Sequence, residues 1–154
     1  GKTYQITPAD RLIDRMCVEF NRKGKAAGAG FYEYPKGGKK SLWPGLDQHF
    51  VRPDRRRPSD AEFAELRDRL LYRTSIETIR CLEENVLRSV ADANIGSIMG
   101  IGAPPWTGGA LQYVNYVGVQ AFTQRARELA QKYGDRFDPP KLLIEMAERG
   151  ESFI

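Results

Sequence analysis

The sequence has one histidine, His49, and only two cysteines, Cys17 and Cys81. Groups from which metal sites and nucleophile–base pairs are usually built are therefore scarce. Neither cysteine has a second one nearby, and both fall inside helical patterns. Cys17 accordingly reads as a small core residue and not as a reactive thiol. His49 has no motif partner, so a complete small enzyme built on it ranks last among the functional readings. No run of about 18 apolar residues occurs, which excludes an ordinary membrane-spanning helix. The opening GKTYQITPADR lacks an apolar signal core, and with the unpaired cysteines it points to a reduced, cytoplasmic setting. Neither a strand followed by GxGxxG nor GxxxxGK[ST] is present, so no loop for cradling a dinucleotide or nucleoside triphosphate is read. The net charge of +4 is mild and spread over scattered sites, which favours solubility more than it names a nucleic-acid partner.

What the chain does have is 154 residues, 41% hydrophobic and 29% charged, enough for one domain or for one domain plus a piece of another. Its most distinctive stretch is residues 100–115, GIGAPPWTGGALQYVN, with long amphipathic patterns on both sides. Gly100, Gly102, Gly108 and Gly109 permit backbone angles closed to other residues, and Pro104 with Pro105 cannot continue a helix. The stretch is expected to be a tight elbow. Trp106 is expected to be its buried plug, with Gly102, Gly108 and Gly109 letting other backbone come close.

In chain order, Thr7, Pro8 and Asp10 make a helix start, with Leu12, Ile13, Met16, Cys17 and Phe20 on one apolar face up to about Asn21. Glycines 24, 28 and 30 then lead into Phe31, Tyr32 and Tyr34, which read as a turn and a short extended piece with Phe31 anchored in a groove. Residues 35–58 read as an irregular crossover ending in the basic run 52–57. Ser59 and Glu62 form a capping box for the next helix. That helix carries Leu66, Leu70, Leu71, Ile79, Leu82 and Val86, and runs either unbroken or with a kink near residues 72–75. Shorter helices follow over residues 90–99 and after Gly109. Phe122, Ala126, Leu129 and Tyr133 face inward on a helix that Gly134 stops. Asp138 and Pro139 are expected to start a last helix with Leu142, Leu143 and Met146 inside. Thr7-Pro8 and Leu12-Ile13-Asp14 recur as Asp138-Pro139 and Leu143-Ile144-Glu145, a faint echo of one helix written twice.

Two of these stretches carry a family resemblance. Lys25 with Gly28, Gly30, Phe31, Tyr32 and Tyr34 resembles the K-x-x-G-x-G-F-Y-x-Y signature that closes a helical domain in 3-hydroxyacyl-CoA dehydrogenases. Gly100, Gly102, Pro104, Pro105, Trp106, Gly108 and Gly109 resemble the G-x-G-x-P-P-[FW]-x-G-G of the second helical repeat in multifunctional fatty-acid oxidation alpha subunits. The resemblance implies an all-α chain, a helical C-terminal domain of the 6-phosphogluconate dehydrogenase and 3-hydroxyacyl-CoA dehydrogenase type. In it, residues 1–58 would be the tail helix of a preceding repeat plus a crossover, and residues 59–154 a complete repeat.

The resemblance further implies a parent enzyme that oxidises 3-hydroxyacyl-CoA to the 3-ketoacyl form with NAD, through an upstream Rossmann domain that holds the dinucleotide and the catalytic His-Glu pair. Where the family's first repeat has asparagine in an N-R-L-L stretch and a glutamate nine residues on, this chain has Asp68-Arg69-Leu70-Leu71 and Glu77. A carboxylate cannot donate as an amide does, so this copy is expected to be structural and inactive by itself. No catalytic, cofactor-binding or metal-ligating residue is assigned. The expected partners are the upstream Rossmann domain and first helical repeat, with a homodimer as the substitute. The competing reading is a basic module that holds RNA or an acidic partner through residues 52–57.

Overall fold

Thr7 begins the first helix, α1 (Pro8–Asp14), by reciprocal capping: its hydroxyl accepts from the Asp10 amide at 3.3 Å while the Asp10 carboxylate accepts from the Thr7 amide at 2.7 Å. The structure, a computed structural model, describes residues 6–51 and 56–154. They fall into two compact units, Gly1–Arg57 and Pro58–Ile154.

In the first unit, α1 runs on into a wider π-helical turn, Arg15–Glu19, and Asn21 closes it with a positive φ of 50°. Of the expected apolar face only Met16 is fully buried. Leu12, Cys17 and Phe20 are half-buried, and Ile13 is 51% exposed. The wide turn changes the angular spacing of the residues that follow it, so a pattern drawn at 3.6 residues per turn loses its register there.

Next comes a ribbon of two short antiparallel strands, β1 (Tyr32–Glu33) and β2 (Ser41–Leu42), with Tyr32 opposite Leu42. Arg22 ties it down. Its guanidinium donates to the carbonyls of Gly30 and Tyr32, pairs with Glu33 at 2.9 Å, and lies over the Trp43 ring. A one-turn helix, α2 (Gly45–His49), brings His49 and Phe50 against Phe20. The stretch expected to be an irregular crossover thus holds a strand and a helix, both too short to leave a periodic signal. Phe31 is 40% exposed and not anchored in a groove, because its carbonyl, accepting from the Trp43 amide, is what fixes the segment.

The second unit is a helical bundle. Ser59 and Glu62 cap α3 (Asp60–Glu83), a single unbroken helix of 24 residues. The helix is continuous through residues 72–75. The Thr74 and Thr78 hydroxyls bond back to carbonyls four residues earlier, and Ser75 donates across to the Ala110 carbonyl at 2.8 Å. The helices α4 (Val90–Ile101), α5 (Ala110–Val117), α6 (Val119–Tyr133) and α7 (Lys141–Arg149) complete the bundle. Its centre is Phe122, fully buried and stacked on Tyr72 at 4.0 Å with the rings 2° from parallel. Ile76, Ile79, Leu111, Val114, Leu129 and Leu143 close around that pair. Emptying such a position to alanine costs about 3–5 kcal/mol.

The chain is all-α in its architecture, but two expected helix details differ. The α3 face has Ile76 and Ile79 inside, yet Leu66 and Leu70 are 43% and 73% exposed, and Val86 lies beyond the end of the helix, 67% exposed. The last helix does not start at Asp138. A 3-10 turn, Asp135–Phe137, uses the Asp138 amide, so α7 begins at Lys141 behind Pro140. Pro140 has no side-chain oxygen to cap with, and the Leu142 amide instead donates to Glu83 of α3 at 2.7 Å. The echo between the two ends of the chain therefore covers the apolar face and not the cap.

Candidate functional site

The elbow between α4 and α5 is held from α4. Asn94 Oδ1 accepts from the amides of both Leu111 and Gln112, at 3.0 and 3.1 Å, and Ser97 Oγ accepts from the Ala110 amide at 3.0 Å. These are first-turn donors of α5, whose own N-cap residue, Gly109, has no side chain to offer them. Gly109 sits at φ 111°, and a Cβ there would lie 2.5 Å from Asn94 Cα. Gly102 and Gly108 serve differently: at φ 72° and 71° they end α4 and the Pro105–Thr107 turn in the left-handed region, and no other backbone comes close to them. Gly100 lies within α4 with open space beside it, and Pro104 enters the turn with φ −59°.

Trp106 is not the buried plug. It is 67% exposed, touching Tyr113 edge-on with ring centroids 6.3 Å apart. The elbow needs no plug because polar capping by Asn94, Ser97 and Thr107 already fixes it, which leaves the indole free on the surface. The only sequence signal for this was the pair Asn94 and Ser97 at i, i+3 ahead of the glycines.

In the first unit, Gly28 (φ 76°) closes a small turn. Gly30 lies so close to Gly24 that a Cβ would come within 2.9 Å of its Cα. Tyr32 sits in β1 beneath Lys40, whose ammonium is 4.8 Å from the ring centre. His49 is exposed and stacks on Trp43. Of the basic run, residues 52–55 lie outside the described residues.

Trp106 and the first half of α3 line a groove of about 940 Å³. Phe63, Leu66 and Leu70, at positions i, i+3 and i+7 of α3, share its lining with Ile101 and Trp106. All five are between 43% and 73% exposed. Arg67, Arg69, Arg73 and Arg136 also line the groove, and no acid does. The two acids read against the family pattern are both committed to ion pairs. Asp68 pairs with Arg125 at 3.3 Å and Arg67 at 3.6 Å, and Glu77 pairs with Arg73 at 2.6 Å. The bond from Arg73 holds the Glu77 carboxyl below the usual carboxylate range. Burial pushes the phenols of Tyr72 and Tyr113 up, so neither acts as a base near neutral pH. Among the described residues no cluster of three or more His, Cys, Asp or Glu is placed to hold a metal ion. No helix among them is long and apolar enough to cross a membrane. The arrangement is an apolar face with a basic rim, and the Thr74, Ser75 and Thr107 hydroxyls on its lining each donate to a backbone carbonyl.

No protein-family model matches the chain. A fatty acid oxidation complex subunit alpha of Shewanella loihica is 37% identical to it over 146 residues, 94% of this chain. The chain is a relative of that alpha subunit. It spans about one fifth of the relative's length, 20%. Among solved structures, FadB2 of M. tuberculosis superposes with a TM-score of 0.48 and 24% identity over 55% of this chain and 29% of that one. The kinship with the alpha subunit agrees with the motif resemblance and gives no support to an RNA or acidic-partner module built on residues 52–57.

Proposed function

We propose that this chain is the second helical repeat of a multifunctional fatty-acid oxidation subunit and works there as a docking scaffold. Residues 1–58 supply the tail helix of a preceding repeat with its crossover, and residues 59–154 the repeat itself. The parent oxidises 3-hydroxyacyl-CoA to 3-ketoacyl-CoA with NAD in an upstream Rossmann domain, in the cytoplasm, and this chain contributes packing surface. The observation that carries the reading is the exposed apolar groove on a unit whose own core is already closed. Ordinary monomers seldom leave five large apolar side chains together in water. Asp68 adds support: it stands at the asparagine position of the family pattern, committed to Arg125.

The isolated chain is therefore expected neither to bind NAD nor to oxidise a 3-hydroxyacyl-CoA. Titration calorimetry with NAD, followed by an assay for NADH formation, checks both. Micromolar NAD binding or turnover above background contradicts the proposal. Self-association is the further expectation, through the α1 face where Leu12 is half-buried and Ile13 half-exposed. Light scattering should give twice the chain mass, and Leu12→Asp should halve it. A strict monomer at micromolar concentration removes the homodimer from the proposal.

A further inference from the structure

We infer that the groove between α3 and the elbow receives an acidic amphipathic helix, and not a second copy of itself. The inference rests on the docking reading above and adds the chemistry of the partner. The shape sets the helical part. Phe63, Leu66 and Leu70 recur at i, i+3 and i+7 as an exposed apolar face of one helix, and Ile101 and Trp106 line the same groove. A helix laid in it matches this face with its own i, i+3, i+7 side chains.

The charge sets the rest. The lining carries four arginines and no carboxylate. Arg67 and Arg73 have Asp68 and Glu77 beside them, but Arg69 and Arg136 have only rings, Tyr133 at 4.1 Å and Phe137 at 5.4 Å. Among the described residues no acid pairs with Arg69, and a carboxylate arriving in the groove makes the strongest bond its guanidinium can form. A two-fold dimer through the same groove would instead bring Arg69 and Arg136 of one copy toward those of the other, with no carboxylate on either lining to pair with them.

The test uses the whole chain in a Trp43→Phe background, so that Trp106 alone reports by its emission. The probes are two synthetic helical peptides of about 15 residues, long enough for four turns. Both carry leucine at i, i+3, i+4 and i+7; one is flanked by glutamates and the other by lysines. The glutamate peptide should bind one to one with a blue shift of Trp106, about ten-fold or more tighter than the lysine peptide. Arg69→Gln should erase most of that preference while leaving the chain's circular dichroism and melting unchanged, and Leu70→Asp should abolish binding. Equal binding of both peptides, or of neither, overturns the inference, as does an affinity indifferent to Leu70→Asp. If the chain proves to be a dimer that Leu70→Asp turns into a monomer, the docking scaffold stands and the acidic-helix inference falls.

Discussion

Replacing Gly109 with alanine isolates the feature on which the elbow depends. At φ 111° an L-residue is strained whatever surrounds it, at a cost of about 1–3 kcal/mol. The added methyl would also meet Asn94, with Cα and Cβ both at 2.5 Å, well inside van der Waals contact. Because Cα is backbone in α4, no rotamer change relieves the overlap, and forced overpacking adds about 1–3 kcal/mol. Pushing α4 away then weakens the Asn94 bonds to the Leu111 and Gln112 amides, together a cap worth about 1 kcal/mol. The sum, about 3–7 kcal/mol, is a large part of the stability of a small domain.

Gly118 is the control. At φ 90° it carries comparable backbone strain, but nothing lies within 4 Å of its would-be Cβ, so Gly118→Ala should cost the strain alone. Urea unfolding of both variants, with equal m-values confirming a like-for-like comparison, should place Gly109→Ala at least about 1.5 kcal/mol below Gly118→Ala. Equal losses refute the close-approach argument. A second check is Asn94→Ala combined with Gly109→Ala. Since Cα and Cβ remain, it should not rescue, and recovery would show that only the amide tip was in the way.

Two further outcomes are expected. Trp106→Ala, despite the size of the ring, should cost no more than about 1 kcal/mol, since the ring is 67% exposed and meets Tyr113 edge-on; a loss of 3 kcal/mol or more in chemical unfolding means that the indole is a core residue. Glu65 takes hydrogen bonds from Lys132 at 2.7 Å and from the Tyr133 hydroxyl, and these hold its carboxyl below the usual range. A carboxyl depressed on folding contributes stability above its unfolded pKa and loses that contribution as pH falls through its folded value. The stability gap between the parent chain and Glu65→Gln should accordingly be full above the ordinary glutamate range, about 4.3, and close as pH falls below it. A gap that stays constant as pH falls shows that the carboxylate charge contributes nothing.

Local chemistry was the legible part of this sequence. Thr7 with Asp10 and Ser59 with Glu62 cap because the donor geometry of a helix start needs only four consecutive residues, all visible in the chain. Phe122, Ala126 and Leu129 lie inside because one helix at regular spacing has one inner face. At the elbow and at the start of α7 the structure departed from the reading because of a partner distant in sequence. Asn94 caps a helix that starts sixteen positions later at Ala110, and Glu83 satisfies the Leu142 amide 59 residues away. No window of local periodicity holds both ends of such a bond. Asp138 looked like a cap for the same reason: the 3-10 turn that claims its amide is decided by the packing of Phe137, 2% exposed.

Leu66, Leu70 and Trp106 show a different limit, and it bears on the candidate site. Helical spacing marks residues that avoid water, but it does not say whose core receives them. On α3 the apolar positions divide between two faces. At about 100° per residue, Tyr72, Ile76 and Ile79 share the face that closes onto Phe122, whereas Phe63, Leu66 and Leu70 share the opposite one and are left open, lining the groove with Trp106. Leu70 and Tyr72 are two residues apart, and their exposures are 73% and 4%. A helix that only completed its own bundle would have no reason to carry a second apolar face. That face is intelligible if the first half of α3 belongs to a second core, one that forms when another surface arrives. The arginines then take a definite place: set on the rim, they leave the centre of that core apolar and make its partner choice electrostatic.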